Sequence, residues 1–541
     1  MRHRITLATL VLSLLMALPV MAAAQEKADE PAKTEAPKGE KEATKEPPPT
    51  EKAVTTAHRV QVGDRSIAYT ATAGTLLIRD DKGKPDASMF YVAYIADGEQ
   101  EAPQRPITFL YNGGPGSSSI WLHMGSFAPV RLVTASPEAT APAPYQLVPN
   151  AHSLLDRTDL VFVDAIGTGY STGLPKADKG KNDKDKDDNL NKRFWGTDQD
   201  IEAFGRFVIR YISANNRWNA PKFLFGESYG TPRSAGLVKY LNDKGIACNG
   251  VILLSSILNF GTRLPGQDNA YISTLPTFAA IAWYYNKLPH KPATLEPFLT
   301  EVRDFARGGY AVALAKGQAL SGQEQEAMAQ QLHAYTGLSV TYLKAANLRV
   351  TPSRFRKELL RDERHTIGRY DARFQGIDSD AAGENPETDA AETAIRGAFT
   401  AAFNDYLVRE LHYPSEVPYN VMVPASMDWD WKHKVPGQQR PLPLPIMVGD
   451  LGATMRANPH LKVLAANGYF DLATPFFATE YDLAHLDIES PLRQNLTLTY
   501  YASGHMIYLN LDALKQLKED LAQFYEAAVP RAEAKLTETT P

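Results

Sequence analysis

Hydrophobic and polar positions follow two different periods along this chain, and they predict two kinds of sheet segment. Between residues 58 and 96, apolar and polar positions alternate in short stretches around a turn signal at residues 80–83. This alternation is typical of antiparallel hairpins. Further along, wholly apolar runs alternate with amphipathic stretches, which indicates a mainly parallel sheet with helices on both faces.

The parallel part of the sheet is predicted from short apolar runs, and its helices from the patterns between them. The strand candidates are residues 107–111, 160–165, 222–225, 250–256, 461–466 and 496–501. The helix candidates are residues 198–211, 233–241, 475–486 and 511–524. The series of strands stops between about residues 262 and 440, where Ala, Leu, Glu and Gln dominate. An insertion of this length predicts a helical cap over one edge of the sheet.

The two ends of the chain carry patterns that differ from those of a folded core. Residues 1–24 have a basic start, an apolar stretch and small residues at 22–24, as in a secretory signal peptide. A single membrane anchor is the alternative, although the apolar stretch is short for a span. Residues 25–55 are rich in charges of both signs, which predicts a disordered tether. The expected location is therefore the periplasm or the exterior, with no membrane attachment after cleavage.

These boundaries divide the chain into a core in two parts and an insertion. The predicted α/β core spans residues 56–262 and 441–528, the helical cap spans residues 263–440, and residues 529–541 form a tail.

Composition excludes several classes of function. The 541 residues have a net charge of −5 and no evident basic face, so a nucleic-acid partner is not expected. Cys248 is the only cysteine, which excludes an intrachain disulfide and favours a buried apolar role. The histidines lack ligand spacing and no glycine loop resembles a nucleotide cradle, so we expect neither a metal nor another cofactor.

A candidate nucleophile lies where a predicted strand turns into a predicted helix. Residues 226–230 read Gly-Glu-Ser-Tyr-Gly, which fits the Gly-x-Ser-x-Gly elbow of serine hydrolases. Such a turn strains the serine backbone and lifts its hydroxyl clear of the sheet, and the glycines prevent collisions. The motif also occurs by chance in loops, but its position between strand and helix favours Ser228 as a nucleophile.

A serine hydroxyl needs a base and an orienting acid, which follow the serine in this chain order in α/β-hydrolases. Asp471 and His505 each follow a predicted strand, so we expect Asp471 to orient the base His505. His485 is the only other histidine after Asp471, but it lies in a helical pattern. An acid in a loop often only forms a turn. The prediction therefore depends on both residues together, on their order in the chain and on their positions after strands.

The reaction also needs donors for the developing oxyanion. The segment 111–119, Tyr-Asn-Gly-Gly-Pro-Gly-Ser-Ser-Ser, follows the strand candidate 107–111 and exposes several backbone N–H groups. One donor of such a hole comes from a loop of this kind and the other from the residue after the nucleophile. We therefore expect the N–H groups of Gly113 and Tyr229 to form the hole. The alternative is that the segment is only a tight turn.

Five motifs in this order resemble the serine carboxypeptidase family, acid-active exopeptidases of the α/β-hydrolase fold. They are Asn-Gly-Gly-Pro-Gly from 112, Val-Asp-Ala-Ile-Gly-Thr-Gly-Tyr-Ser at 163–171, the elbow at 226–230, Asn-Gly-Tyr-Phe-Asp-Leu-Ala-Thr-Pro from 467, and Ser-Gly-His-Met-Ile-Tyr-Leu from 503. The resemblance covers the sheet portions and does not extend to the tether or to most of the cap. The resemblance implies the triad Ser228, Asp471 and His505 and the oxyanion donors Gly113 and Tyr229, which are the residues already predicted from their positions in the sequence.

The resemblance adds a clamp for the substrate's C-terminal carboxylate, formed by Asn112 and Glu227. A neutral Glu227 can donate a hydrogen bond to that carboxylate, whereas a charged one would repel it, so activity at acidic pH is expected. Three positions depart from the family. Leu110 stands where many eukaryotic members have tryptophan, Ser117 where they have cysteine, and Tyr508 where proline is usual.

Three hypotheses follow. The first is an exported serine carboxypeptidase that acts on peptides with a free C-terminal carboxylate, through an acyl-enzyme. The second is an esterase or acyltransferase with the same triad, which would have no terminal carboxylate to clamp. The third, a binding module without activity, is disfavoured because the triad and both oxyanion residues are present.

Overall fold

The structure is a computed structural model that describes residues 49–98, 104–175, 189–264, 266–423 and 428–529. The predicted signal peptide, the tether as far as residue 48 and the tail from residue 530 lie outside these residues. So does most of the charged run at 176–192. The described part of the chain contains no helix that combines the length and apolar composition needed to cross a membrane.

Apart from two short strands within it, the described strands lie before and after a long helical region. They are β1 (Ala53–Val62), β2 (Arg65–Arg79), β3 (Pro85–Ala96), β4 (Ile107–Tyr111), β5 (Val130–Leu132), β6 (Leu147–Pro149), β7 (Asp159–Val163), β8 (Thr172–Gly173), β9 (Lys222–Glu227), β10 (Gly250–Leu254), β11 (Thr366–Ile367), β12 (Gln375–Gly376), β13 (Lys462–Gly468) and β14 (Leu496–Tyr501).

The helices lie mostly after the first three strands. They are α1 (Ile120–Gly125), α2 (Thr197–Ala214), α3 (Gly230–Asp243), α4 (Asn269–Tyr284), α5 (Leu295–Phe305), α6 (Ala311–Lys316), α7 (Gly322–Thr336), α8 (Val340–Ala345), α9 (Pro352–Glu358), α10 (Ala390–Arg409), α11 (Val448–Ala457), α12 (Phe476–Ala484), α13 (Ser490–Arg493) and α14 (Leu511–Ala528).

One large sheet runs through the described core in the order β1-β2-β3-β7-β4-β9-β10-β13-β14, and β8 pairs with β3. Strands β7, β4, β9, β10, β13 and β14 are parallel to one another, whereas β1, β2, β3 and β7 pair in antiparallel fashion. The parallel strands β4, β7, β9 and β10 are buried along their whole length, because helices cover both faces. The predicted α/β-hydrolase class, with its N-terminal hairpins, is confirmed.

The sheet separates two cores, and the cap has a third. On one face β-strand side chains pack with α1, α10 and α14, and on the other with α2, α3 and α11. The cap core joins α4 to α9 and also includes Tyr469, Phe470 and Leu472, from the loop after β13. The cap therefore packs directly against the loop that carries Asp471.

The structure corrects two details of the predicted domain boundaries. Strand β1 begins at Ala53 and pairs with β2 from that residue, so residues 53–55 belong to the sheet and not to the tether. Helix α10 lies within the predicted cap, 263–440, but its apolar side joins the sheet core with α1. A short hairpin, β11 and β12, interrupts the helices of the cap.

Candidate active site

Ser228 occupies a strained turn between β9 and α3. Its φ angle is +59°, in the left-handed region that side chains other than glycine rarely adopt. The flanking glycines make the turn possible. A Cβ on Gly226 would lie 2.0 Å from the carbonyl oxygen of Gly230, and one on Gly230 would lie 2.8 Å from that of Tyr111. This is the geometry of a nucleophile elbow.

His505 and Asp471 are in direct contact in the loops after β14 and β13. His505 Nδ1 lies 2.7 Å from Asp471 Oδ2, and both side chains are buried. Asp471 Oδ1 accepts from the backbone N–H of Ala473 and Thr474, and Oδ2 accepts from the Thr474 hydroxyl at 2.5 Å. A carboxylate at Nδ1 holds the proton there, which leaves Nε2 free to act as a base.

Charge and burial oppose each other in this pair. Burial acts to raise the pKa of Asp471, but His505 and the hydrogen bonds from Thr474 outweigh it and lower that pKa. For His505 burial acts to lower the pKa, and the neighbouring Asp471 raises it above its ordinary value. Asp471 therefore stays ionised and stabilises an imidazolium at His505.

Ser228 and His505 face the same small cavity. Nε2 of His505 is buried, and no described residue forms a hydrogen bond with it. The cavity is lined by Asn112, Gly113, Gly114, Ser117, Trp121, Glu227, Ser228, Tyr370, Glu392, Met422, His505 and Met506. The structure thus brings Ser228, His505, Glu227, Asn112 and Gly113 to one place, with Asp471 behind His505.

A segment of the cap holds the loop that carries His505. The backbone N–H of His505 donates to the Tyr370 carbonyl at 2.6 Å, and the Tyr370 ring lies 5.1 Å from the imidazole. Asp371 pairs with Arg373 at 2.6 Å and accepts from the N–H of Gly504. Arg373 also donates to the carbonyl of Ala502 and the hydroxyl of Ser503. The cap therefore contributes to the position of the histidine.

The two predicted oxyanion donors are close neighbours. Gly113 follows β4, and a Cβ at this position would lie 2.3 Å from the backbone nitrogen of Tyr229. Only glycine permits this approach. Tyr229 directly precedes α3, whose N-terminus favours negative charge. Both N–H groups are therefore at the end of the sheet where Ser228 lines the cavity.

Glu227 and Asn112 lie next to Ser228 in a buried polar group. Tyr508 donates its hydroxyl to Glu227 Oε2 at 2.9 Å. Asn112 Oδ1 accepts from the N–H of Leu122 at 2.9 Å, so its amide group is directed to Glu227 and Tyr508. The Asn112 carbonyl accepts from Arg233 at 2.7 Å. These contacts fix both predicted clamp residues.

The Glu227 carboxyl is poised to hold a proton near neutral pH. Burial raises its pKa to about 7, while His505 and the hydrogen bonds from Tyr508 and Asn112 act in the opposite direction. Glu227 is 1% exposed, and no arginine or lysine among the described residues lines the cavity. The group can therefore be a neutral donor at acidic pH.

Sequence reasoning missed several residues of the site. Tyr370, Glu392 and Met422 come from the cap, and only folding brings them to the cavity. Tyr508 had a signal, because it lies three residues after His505 at a position where the family resemblance predicts proline. Its contact with Glu227 still required the structure. Of the set-aside candidates, His485 lies just after α12 and is exposed.

Comparisons with known proteins agree with this geometry. Residues 69–257 match the family model described as serine carboxypeptidase. The matched segment contains Asn112, Gly113, Glu227, Ser228 and Tyr229 but ends before Asp471 and His505. Comparison of the sequence with curated proteins gave no match.

Among solved structures, the fold is similar to Kex1(delta)p, a prohormone-processing carboxypeptidase from Saccharomyces cerevisiae. The TM-score is 0.51 and the identity is 14%, over 85% of this chain and 91% of that chain. A putative aryl esterase from Burkholderia cenocepacia also matches, with a TM-score of 0.29 and 11% identity, over 84% of this chain and 100% of that chain.

The protein is a serine hydrolase of the α/β-hydrolase fold. In this hydrolase the family match covers β3, β4, most of β2 and β7 to β10, and so includes the elbow and the loop of Gly113. The cap and the loops of Asp471 and His505 lie outside it, so their roles depend on the contacts described above.

Proposed function

We propose that this hydrolase is a serine-type carboxypeptidase that releases C-terminal residues from peptides through an acyl-enzyme and is favoured at acidic pH. The observation that carries the proposal is the position of Glu227. It is a buried carboxyl with a pKa of about 7, on the same small cavity as Ser228 and His505. A protonated acid and an amide beside the nucleophile match a substrate that ends in a carboxylate, a group that a simple ester lacks.

In the proposed first step, His505 Nε2 takes the proton of the Ser228 hydroxyl while the serine oxygen attacks the last peptide carbonyl. The oxyanion that forms is held by the N–H groups of Gly113 and Tyr229. The intermediate then collapses: the C–N bond breaks, and the proton on His505 passes to the departing amine. Ser228 is left as an acyl ester and the C-terminal amino acid departs.

In the second step, water gives a proton to His505 and adds to the ester carbonyl. The tetrahedral intermediate releases Ser228, which regains its proton from His505, and the shortened peptide leaves. Asp471 keeps the imidazole in the required tautomer during both steps through its contact with Nδ1.

Selection of a chain end is assigned to Asn112 and Glu227. The Asn112 amide and a protonated Glu227 would donate hydrogen bonds to the terminal carboxylate and place the last peptide bond at Ser228. Above a pH of about 7, Glu227 ionises and would repel this carboxylate. A charged Glu227 also raises the pKa of His505, so the two groups titrate together.

The test uses purified protein and N-blocked dipeptides that differ only at the C-terminus, as free acid, amide or ester. We expect the free acid to be preferred over the amide below about pH 7, with the KM of the free acid rising steeply at higher pH. Equal rates for acid and amide at every pH would contradict the proposal. Rapid cleavage of the ester alone would instead favour an esterase with the same triad. Labelling by a fluorophosphonate serves as the control for an intact nucleophile.

Export to the periplasm or the exterior belongs to the same proposal, since it rests on the signal-like pattern of residues 1–24. The N-terminal residue of the protein recovered from its native cells tests this part. A start near residue 25 is the expected result, and an intact Met1 would contradict it.

A further inference from the structure

Tyr508 contacts Glu227 from the side that faces away from the cavity. Its hydroxyl donates to Glu227 Oε2 at 2.9 Å, and its side chain is buried. Glu227 lines the cavity next to Ser228, but among the described residues that line it Tyr508 is absent. Tyr508 therefore contacts Glu227 without lining the cavity.

The packing around Tyr508 fixes the direction of its hydroxyl. Tyr508 belongs to the short 3₁₀ turn Ile507–Leu509, directly before α14. Its ring packs against Gly125, the last residue of α1, where a Cβ would lie 2.5 Å from Cε2 of Tyr508. The same Cβ would lie 3.2 Å from the Phe399 ring of α10. Space for the tyrosine thus depends on glycine at position 125.

The hydrogen bond has a chemical consequence for the two oxygens of Glu227. An acid has one proton and two oxygens, and the oxygen that accepts the Tyr508 hydroxyl is better suited to be the carbonyl oxygen. The proton of the acid form is then directed to Oε1. The Asn112 amide adds a second donor to this group, and Asn112 is itself held by the N–H of Leu122.

The other titratable groups around Glu227 do not replace this bond. His505 and Asp471 act on Glu227 through their charges. Tyr370 and Glu392 line the same cavity from the cap side, and Glu392 is paired with Arg396. Only Tyr508 and Asn112 donate hydrogen bonds to the Glu227 carboxyl among the described residues.

We propose that Tyr508 is a positioning residue for recognition of a peptide's C-terminal carboxylate. It holds Glu227 Oε2 as an acceptor and so presents the proton of Glu227 on Oε1 to that carboxylate. The proposal rests on the carboxypeptidase function proposed above. It concerns a position where the family resemblance predicts proline, so the hydroxyl is a property of this chain.

The test compares Tyr508→Phe with a matched control in the full-length enzyme. The control is Tyr501→Phe, because Tyr501 is equally buried and donates to a carboxylate elsewhere, Asp520 Oδ2 at 2.6 Å. For Tyr508→Phe we expect KM for free-acid dipeptides to rise about three- to tenfold below pH 7, as loss of one hydrogen bond would give. The turnover number and fluorophosphonate labelling should stay unchanged, and Tyr501→Phe should match the wild type in all three.

The pH dependence of KM tests the hydrogen bond of Tyr508, because a purely packing role of its ring would leave this dependence unchanged. Donation by Tyr508 stabilises the ionised form of Glu227, so its removal should raise the pKa of Glu227. The pH at which KM begins to rise should then move upward in Tyr508→Phe. The proposal would be overturned if Tyr508→Phe had the wild-type KM and its KM began to rise at the wild-type pH. Loss of fluorophosphonate labelling in this variant would also overturn it.

A measurement without substrate separates this proposal from the proposed function. Infrared difference spectra between the wild type and Glu227→Gln report the protonated Glu227 carboxyl across pH. An upward shift of that titration in Tyr508→Phe supports the contact even if the wild type shows no preference for free acids, in which case only the carboxypeptidase function fails. An unshifted titration rejects the role of Tyr508 while leaving the carboxypeptidase function to its own assay.

Discussion

Gly113 approaches Tyr229 so closely that a methyl group on Gly113 would lie 2.3 Å from the backbone nitrogen of Tyr229. The two residues are 116 positions apart in the sequence, but the loop after β4 and the turn after β9 meet because these strands are neighbours in the sheet. The contact places both predicted oxyanion donors side by side, which explains why a side chain is excluded at position 113.

Substitution of Gly113 by alanine should therefore affect the oxyanion site directly. The methyl group has to displace the Tyr229 backbone, and loss of one donor typically lowers the turnover number about 10²- to 10³-fold. Steady-state kinetics on a free-acid dipeptide measure this. Gly322→Ala is the matched control, since a Cβ on Gly322 meets nothing within 4 Å, and it should keep full activity. A wild-type turnover number in Gly113→Ala would contradict the assignment of Gly113 as an oxyanion donor.

Substitution of Ser228 separates the nucleophile from the strain of its turn. Both Ser228→Ala and Ser228→Gly should lose fluorophosphonate labelling, because the attacking hydroxyl is gone. At φ +59° glycine is unstrained, whereas alanine is strained. Ser228→Gly should therefore have a higher urea midpoint than Ser228→Ala, and its free energy of unfolding should be about 1 kcal/mol larger. Residual labelling in either variant would mean that another residue is the nucleophile.

Replacement of Glu227 by glutamine should remove the pH dependence of substrate binding. In the wild type Glu227 is protonated below its pKa of about 7, so we expect carboxylate binding at acidic pH and its loss as pH rises through 7. Glutamine stays neutral and keeps a donor, so KM for free acids should be flat across this range. Amidated dipeptides, which lack the carboxylate, form the control. A KM that still rises at pH 7 in the variant would assign the titration to another group.

The cap segment around Arg373 should influence both stability and catalysis. Arg373→Met leaves Asp371 buried without its partner, which typically costs about 3–5 kcal/mol, and it removes the bonds to Ala502 and Ser503. We expect a lower urea midpoint and slower fluorophosphonate labelling through displacement of His505. Arg409→Met is the control, since its pair with Asp405 is exposed and exposed pairs contribute little. Labelling at the wild-type rate in Arg373→Met would show that this cap segment does not control the position of His505.

The agreement between prediction and structure is closest for two strands of the parallel part of the sheet. The predicted bounds 107–111 equal those of β4, which is buried along its whole length, and 496–501 equal those of β14, a partly buried strand at the edge of the sheet. A strand that is covered on both faces, such as β4, reads as a nearly continuous apolar run, and such a run is easily recognised in a sequence. Outside the cap, helices α2, α3, α12 and α14 were also predicted, within a few residues at each end, whereas α1, α11 and α13 were not. Helix ends depend on capping and on tertiary contacts, which explains the difference.

The cap was predicted only as a helical insertion, and its division between two cores was not. Helix α10 and helices α4 to α9 lie in the same predicted insertion, yet α10 packs on α1 and the others form their own core. Sequence periodicity indicates that a helix has an apolar side but not which surface will cover it. The partners of such helices are set by the topology of the whole chain.

The chain alone determined the class of fold, the elbow at Ser228 and the order in which an acid and a histidine follow it, because these features are local patterns of apolar runs, glycines and strand ends. Only the tertiary structure decided that Tyr508 reaches Glu227, that Tyr370 and Arg373 hold the loop of His505, and that Gly113 touches Tyr229. Each of these contacts joins segments far apart in sequence, and its energy depends on distance and burial, which no local pattern encodes.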